Sequence, residues 1–299
     1  MSVTTAKLDD LRREIDEIDA ELHELLIRRT EISQQIGKAK QRNQPLIRPG
    51  REAAIMRSLV ARHRGSLPKA VLLRLWREII ADSAAQQGVF SLSIYTGEEA
   101  EYLRDLARES FGVLTPLSEQ GSSVRVLNEV ASGKATLGVL PPIQSDSRDP
   151  WWRHLAREGA DVPRIVSRLP FAAWPRDRGG DSEALVVALG PTEPSGADRS
   201  FLVVEIQDRM SRSAFKDLLV KAGLTVRETA TWTDADGASY CYCLAEVEGY
   251  LDGPEAQPLL DLAESAGERV SRIWVIGCYP VPLTEAEMAD SGRGSRGRQ

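Results

Sequence analysis

The chain is poor in the residues on which several classes of protein depend. Its 299 residues include three cysteines and three histidines, and 6% are aromatic. An odd, small number of cysteines does not form a disulfide framework, so we predict a cytoplasmic protein in which Cys241, Cys243 and Cys278 are small core residues rather than zinc ligands. The histidines share no motif, and we expect no catalytic triad, metal or cofactor.

Long apolar runs and an excess of positive charge are also missing. No stretch of about eighteen apolar residues exists, and residues 1–7 lack the hydrophobic core of a signal peptide. The net charge of -6 and pI near 5.4 argue against a nucleic-acid surface, and 42% hydrophobic residues argue against wholesale disorder. We predict a soluble protein of two or three domains that binds neither nucleic acid nor membrane.

What the chain does have is one long amphipathic stretch, residues 8–40, with no proline and one glycine near its end. Its apolar residues recur at steps of three, four or seven, the spacing of a helix with one apolar face. They are Leu8, Leu11, Ile15, Ile18, Leu22, Leu25, Ile32 and Ile36.

Three cations stand on the other faces of this predicted helix. At about 100° per residue, Arg29 and Lys40 point almost the same way. Arg12 lies about 25 Å before Arg29 along the axis, too far for both guanidinium groups to bind one small ligand. A site that uses all three cations therefore needs a second, antiparallel copy of the helix.

Two shorter helices are predicted to follow. Proline and glycine in residues 43–50 break the first helix, and helical spacing resumes over 51–63. A third helix is predicted over 69–87. A helix of about 35 residues is some 50 Å long, and two shorter helices cannot cover it. We therefore expect a homodimer formed through the long first helix.

These polar residues carry a resemblance to a known family. The ordered set is similar, over residues 6–88, to the all-α class of chorismate mutase, in which two long helices intertwine in a dimer with two active sites. The set comprises Arg12, Arg29 in LLIRR, Lys40 in GKAK, a proline-containing break, Arg51-Glu52, Ser83 and Gln87.

The resemblance implies a role for each residue. Chorismate becomes prephenate by an intramolecular rearrangement, so positioning and aimed hydrogen-bond donors suffice, without nucleophile or cofactor. By resemblance, Arg12 of one protomer and Arg29 of the other hold the two carboxylates, and Lys40 and Gln87 face the ether oxygen. The remaining members are the hydroxyl partner Glu52, the carboxylate support Ser83 and the backbone of Arg51.

One position departs from the family pattern. Arg48 stands where better-known members have an acidic residue in the linker, and the loop is one residue shorter. Arg48 thus adds a cation beside a dianionic substrate, and the substrate hydroxyl depends on Glu52. A single arginine or lysine on an amphipathic helix is usually a solvated side chain, so the ordered set carries the prediction.

From residue 89 the pattern predicts an α/β region, with strands over 89–95 and near 140 and helices over 98–110 and from 124. YTGEEAEYLRDLARESFG and VLNEVASGKATLGVLPP resemble the opening lobe of prephenate dehydratase, which is fused to chorismate mutase in some bacteria. The short length implies a reduced lobe over 89–190. The family's Thr-Arg-Phe motif falls at Ser182-Glu183-Ala184 and is replaced, so we expect dehydratase activity to be absent.

The last module, residues 197–285, has a βαββαβ pattern, which predicts a ferredoxin-like sheet with helices on one face. It resembles the ACT domain that follows prephenate dehydratase and binds phenylalanine. The family's motifs are changed here to Ser213-Ala214-Phe215 and to residues 228–231. An aromatic amino-acid effector and a scaffold or dimerisation role both stay open, and residues 286–299 are predicted to be a disordered tail.

Together these patterns predict a multidomain chain: an all-α mutase module over 1–88, a reduced α/β lobe and an ACT-like α+β domain. The function expected is conversion of chorismate to prephenate in aromatic amino-acid biosynthesis. The alternatives are a bifunctional mutase and dehydratase, or a noncatalytic amino-acid-sensing dimer.

Overall fold

A computed structural model describes most of the chain. The described residues are 2–40, 45–97, 101–145, 147, 149–172, 183–207, 210–233, 240–251, 253 and 255–289, with side chains from residue 7 onward. The predicted disordered tail over 286–299 is wrong at its start, because residues 286–288 belong to a short helix that Thr284 caps. Residues 290–299 and the position of Ser182 lie outside the described part.

Three helices open the chain, as predicted. They are α1 (Ser2–Ala39), α2 (Pro49–Arg62) and α3 (Lys69–Ala85). Pro49 lies in the first turn of α2, where its missing N–H leaves no helical hydrogen bond unmade. Gly65, with a φ of 102°, lies in the connection between α2 and α3. None of the described helices is long and apolar enough to cross a membrane.

The next region is α/β. It contains β1 (Leu92–Tyr95), α4 (Tyr102–Phe111), β2 (Leu117–Gln120), α5 (Ser123–Ala131), β3 (Leu137–Leu140), a 3-10 helix (Trp151–Leu155), β4 (Arg164–Leu169) and β5 (Ala184–Ala188). The predicted helices and the strands β1 and β3 are present with shifted ends. Strands β2, β4 and β5 were not predicted. The sequence of β2 is the polar LSEQ, and β4 carries two arginines.

The last region has the predicted βαββαβ order. Its elements are β6 (Asp198–Gln207), α6 (Arg212–Lys221), β7 (Val226–Thr233), β8 (Tyr240–Glu248), α7 (Gln257–Ala266) and β9 (Val270–Pro280), followed by the short α8 (Glu285–Met288). The strands lie in the order β9-β6-β8-β7, each antiparallel to its neighbour.

The two regions share a single sheet, in the order β2-β1-β3-β5-β4-β9-β6-β8-β7. The sheet is therefore continuous across the boundary that the sequence placed between 190 and 197. The link is the parallel pairing of β4 with β9, where Ile165 is the partner of Gly277. A Cβ at Gly277 would come within 2.3 Å of the Ile165 carbonyl oxygen, so only glycine lets the two strands approach.

Helices cover both faces of this sheet. Helices α6 and α7 bury Phe215, Leu219, Leu259 and Leu262 against β6 and β8, in the core that also holds Cys241 and Cys243. On the opposite face, α5 and the 3-10 helix pack Trp151 and Trp152 into another core. The three cysteines are buried and form no disulfide within the described residues.

The helices α2 and α3 are packed onto the sheet rather than standing apart from it. Ala81 and Ala84 of α3 belong to the core that α4 shares with β1, β3 and β5. Helix α2 packs with Phe171, Ala172 and Leu283. Arg57 of α2 also donates to the carbonyls of Ala197 (3.1 Å) and Val281 (2.8 Å), on the connection that leads into β6 and on the segment after β9.

Helix α1 differs from its neighbours because its apolar face is uncovered. The eight stripe residues identified in the sequence are all 45–60% exposed in the single chain. Ser33 is the exception among its neighbours and is buried. The expectation that two short helices cannot cover the long one thus agrees with the geometry of the single chain.

The join between β4 and β9 gives a test of the fold. We expect Gly277→Ala to lower the free energy of unfolding by about 1–3 kcal/mol, because the added methyl group overpacks against Ile165. Urea denaturation followed by circular dichroism measures it. Gly121→Ala is the control, since nothing lies within 4 Å of its added Cβ. Equal stability of both variants would contradict the tight approach.

Candidate functional site

The junction of α1 and α3, which we call the cleft, contains a polar contact between the two helices. Arg29 of α1 donates a short hydrogen bond to the hydroxyl of Ser83 and a second one, of 3.2 Å, to the carbonyl of Ile79. Ser83 is buried and in turn donates to the same carbonyl at 2.7 Å. The guanidinium group is therefore fixed in the cleft by α3.

The cleft continues towards the end of both helices. A Cβ at Gly37 would lie 2.9 Å from the Cα of Gln87, so α1 and the end of α3 are in backbone contact there. The glycine near the end of the long helix is what permits this approach. Gln34 and Gln86 are joined beside it by a hydrogen bond of 3.0 Å. Gln87 thus lies on the same cleft as Arg29.

The loop before α2 closes this end of the cleft. A Cβ at Gly88 would lie 3.0 Å from the side chain of Leu46, which places the loop against the end of α3. Lys40 donates to the carbonyl of Pro45 in that loop at 2.7 Å. Lys40 is therefore held at the end of the cleft nearest Gln87.

The two cations of the cleft are partly desolvated. Burial lowers the pKa of Arg29, and the charge of Asp82 partly offsets this shift. Burial also lowers the pKa of Lys40, and the nearby Arg48 lowers it further. Each side chain carries a positive charge that is partly removed from water, which suits the binding of an anion.

Two of the predicted site residues lie away from this group in the single chain. Arg12 is on the exposed part of α1 and forms an ion pair of 3.2 Å with Asp9, one turn away. Arg51 is exposed at the start of α2. One chain alone thus assembles the cleft from Arg29, Lys40, Ser83 and Gln87, without Arg12.

Glu52 has a partner that the sequence did not suggest. Its carboxylate lies 3.7 Å from the guanidinium group of Arg77 in α3, and the side chains are 16% and 13% exposed. Burial raises the pKa of Glu52, while Arg77 and a backbone hydrogen bond from Arg48 lower it. Arg77 also stacks over the ring of Phe171, 5.3 Å from its centroid. Glu52 is thus tied to the contact between α2, α3 and the sheet.

Arg48 is also engaged elsewhere. Its guanidinium group forms three hydrogen bonds of 2.9–3.1 Å with the carboxylate of Glu193, in the connection between β5 and β6. Lys40 is close enough for the Arg48 charge to act on its pKa. The cation that departs from the family pattern is therefore neutralised by a residue of the α/β region.

Sequence reasoning missed Arg77 and Glu193. Arg77 stands on a different face of α3 from Ser83. Its charge affects stability because it is buried beside Phe171 and Glu52. Glu193 lies in a turn-rich connection more than 140 residues after Arg48. No local pattern connects residues so far apart, so tertiary structure alone reveals both pairs.

The positions that the dehydratase and ACT resemblances single out have structural partners. Glu183 forms an ion pair of 2.5 Å with Arg168. Phe215 of α6, in the first changed ACT motif, is fully buried in the core between α6 and the sheet. Glu228, in the second, is partly buried, which raises its pKa, and the charge of Glu246 raises it further. Within the described residues, no cluster of His, Cys, Asp and Glu has the arrangement of a metal site.

Comparison with known protein families gives a match over the helical segment that contains the cleft. Residues 11–88 match the family model described as chorismate mutase type II. The segment that contains α2, α3 and most of α1 is therefore similar to a chorismate mutase type II domain.

Individual proteins are similar to this chain over a longer part of it. A bifunctional chorismate mutase/prephenate dehydratase of Aquifex aeolicus is 30% identical over 140 residues, which cover 45% of this chain and 38% of that protein. The protein of the same description from Pseudomonas aeruginosa is 28% identical over 141 residues, with the same coverage. The matched part thus spans well under half the length of these relatives.

Three solved structures are similar in part. A prephenate dehydratase from Streptococcus mutans has a TM-score of 0.46 at 10% identity, covering 65% of this chain and 100% of that chain. One from Arthrobacter aurescens, in complex with L-Phe, has a TM-score of 0.46 at 11% identity, covering 63% and 90%. GqqA, described as a quorum quenching acylase, has a TM-score of 0.44 at 16% identity, covering 63% and 94%.

The pairing of Glu52 with Arg77 predicts a change in stability. We expect Glu52→Gln to lower the free energy of unfolding by about 1–3 kcal/mol, because it leaves the guanidinium group of Arg77 poorly compensated. Chemical denaturation at neutral pH measures the difference. Glu31→Gln, an exposed position on α1, is the control. If both variants keep the wild-type stability, Glu52 does not support the fold through Arg77.

Proposed function

We propose that the helical domain is a chorismate mutase that converts chorismate to prephenate. The observation that carries the proposal is the match of residues 11–88 to the chorismate mutase type II family. The contacts of Arg29 with Ser83, of Lys40 with the loop before α2 and of Gln87 with Gly37 support it, because they place charges and donors that the reaction needs along the junction of α1 and α3. The rearrangement requires no nucleophile or cofactor.

Each residue of the cleft has a role in this proposal. Arg29, supported by Ser83, binds one carboxylate of the substrate, because a planar guanidinium group pairs with a carboxylate through two hydrogen bonds. Lys40 and Gln87 donate to the ether oxygen, on which negative charge develops as the C–O bond breaks. Glu52, in the first turn of α2, is the residue proposed to bind the ring hydroxyl of the substrate. This hydrogen bond would compete with the ion pair between Glu52 and Arg77.

The second carboxylate requires Arg12 of another copy of the chain. Helix α1 is 38 residues long, and its apolar stripe is about half exposed in the single chain. Burying each stripe residue against a second α1 contributes on the order of 1 kcal/mol to association. An antiparallel pair of α1 helices covers the stripe and carries Arg12 of each protomer towards the cleft of the other, so the site proposed is shared between protomers.

Two other functions need separate tests. A bifunctional mutase and dehydratase would also release phenylpyruvate. The replacement of the family's Thr-Arg-Phe motif by Ser182-Glu183-Ala184 argues against it. A noncatalytic sensor would be stabilised thermally by phenylalanine, tyrosine or tryptophan without turning over chorismate, and the ACT-like module is the candidate to bind these amino acids.

The first test is turnover by matched variants. We expect purified wild-type protein to convert chorismate to prephenate, and Arg29→Ala and Lys40→Ala each to lower kcat/KM by about a hundredfold or more, because each removes a charge-stabilising donor. The loss of chorismate absorbance measures the rate, and chromatography identifies the product. The controls Arg28→Ala and Lys38→Ala change exposed neighbours on the same helix and should retain activity. An inactive wild-type protein would leave the helical domain with a role in dimerisation alone.

The second test is complementation between protomers. Arg12→Ala and Arg29→Ala homodimers are each expected to be nearly inactive, because every site lacks one carboxylate-binding arginine. After unfolding and refolding an equal mixture, about one quarter of wild-type activity should return, since half of the dimers then contain one complete site. A mixture as inactive as its components would contradict a site shared between protomers. Sedimentation of both variants controls for dimer formation.

A further inference from the structure

A cavity separate from the helical cleft lies beside the join between β4 and β9. Its volume is about 310 Å³, near the lower end of about 300–1,000 Å³ for small-molecule sites. The residues around it come from β4, β9, the connection after β5 and the loop after β8. They include Arg164, Pro191, Thr192, Tyr250, Trp274 and Glu158.

The cavity follows from how the two strands meet. Strand β4 pairs with β9 at Ile165 and Gly277. Next to this pair, the side chain of Arg164 donates to the carbonyl of Val275 at 2.8 Å. A long polar side chain thus contacts β9 beside the strand pairing, and the rest of its guanidinium group is left at the cavity.

Arg164 forms no ion pair with an acidic side chain in the described part of the chain. Burial lowers its pKa, and no nearby carboxylate raises it. By contrast, Arg168 pairs with Glu183 and Glu246, and Arg199 pairs with Glu248. A guanidinium group has five N–H donors, and the hydrogen bond to Val275 uses one of them. A half-buried cation that forms no ion pair with a described carboxylate favours an anionic ligand.

The other walls of the cavity indicate the rest of the ligand. Trp274, Ile273, Leu251 and Pro191 present apolar surface to it. The hydroxyl of Tyr250 donates to the carbonyl of Thr192 at 2.8 Å, which fixes one wall. Glu158 lines the cavity as an exposed carboxylate. An apolar group fits beside an anionic head on Arg164.

We propose that this cavity is a binding site for a small monocarboxylate with an apolar body, whose carboxylate pairs with Arg164. The inference is independent of the mutase activity, because the cavity shares none of its residues with the cleft between α1 and α3. The alternative is that Arg164 serves only to stabilise β9 through its hydrogen bond to Val275. In that case no carboxylate binds to Arg164.

The test compares three probes of similar shape on the full chain by isothermal titration calorimetry. They are 3-phenylpropanoate, its neutral analogue 3-phenylpropanamide, and L-phenylalanine, which carries an added ammonium group. We expect 3-phenylpropanoate to bind and the amide to bind at least about tenfold more weakly, because the amide lacks the charge that pairs with a guanidinium group. Tighter binding of L-phenylalanine that is lost in Glu158→Gln would identify an amino acid as the ligand; binding no tighter than that of 3-phenylpropanoate would identify a simple carboxylate.

Variants assign the binding to the cavity. Arg164→Met keeps much of the length of the side chain and removes its charge. We expect it to weaken the binding of 3-phenylpropanoate at least about tenfold. Arg104→Met changes an arginine of α4 that is 52% exposed and paired with Glu119, and it should leave binding unchanged. Circular dichroism and the melting temperature without ligand show whether Arg164→Met is folded. If it is not, Arg164→Lys, which keeps the charge but not the planar fork, replaces it and should also bind more weakly.

Two results would overturn the proposal. One is the absence of 3-phenylpropanoate and L-phenylalanine binding at millimolar concentration to folded wild-type protein. The other is equal binding of 3-phenylpropanoate by wild type and the Arg164 variant. Neither depends on chorismate turnover, so a failure here is distinguishable from a failure of the mutase assignment.

Discussion

The pairing of β4 with β9 is the contact on which the rest of the described structure depends. It joins two groups of strands through Ile165 and Gly277, and a side chain at Gly277 would collide with the backbone of Ile165. Because of this join, the connection after β5 and the segment after β9 lie close together. Arg57 of α2 reaches both of them at once. The helical domain is thus docked on a surface that exists only when the sheet is continuous.

Docking in turn decides which helix faces remain free. Helices α2 and α3 use their apolar residues against the sheet and α4, so little of that surface is left to cover α1. The stripe on α1 therefore stays exposed in the single chain. Exposed apolar surface of this extent is typical of a face that meets another protein. The arrangement leaves α1 free to pair with a second α1, and it holds α3 as the fixed wall of the cleft.

The cations of the helical domain fall into two groups, one that lines the cleft and one that contacts the α/β region. Arg29 and Lys40 line the cleft, whereas Arg48, Arg57 and Arg77 are engaged by the α/β region or at its border. The division explains how Arg48 is accommodated where family members have an acidic residue, because Glu193 supplies the missing negative charge. The carboxylate of Glu52 stands at the boundary, near both the cleft loop and Arg77.

The sequence by itself determined the three helices, the βαββαβ order and the exposed stripe of α1, because each follows from local periodicity and from breaks at proline and glycine. It also supplied the ordered polar set that leads to the cleft, and Arg29 and Ser83 are in contact as neighbours across it. Only the tertiary structure decided that the sheet is continuous, that Glu52 faces Arg77, that Arg48 pairs with Glu193 and that Arg164 is left without a carboxylate in the described residues. These features join residues tens to more than a hundred positions apart, and their energies come from burial and charge pairing that no local pattern encodes.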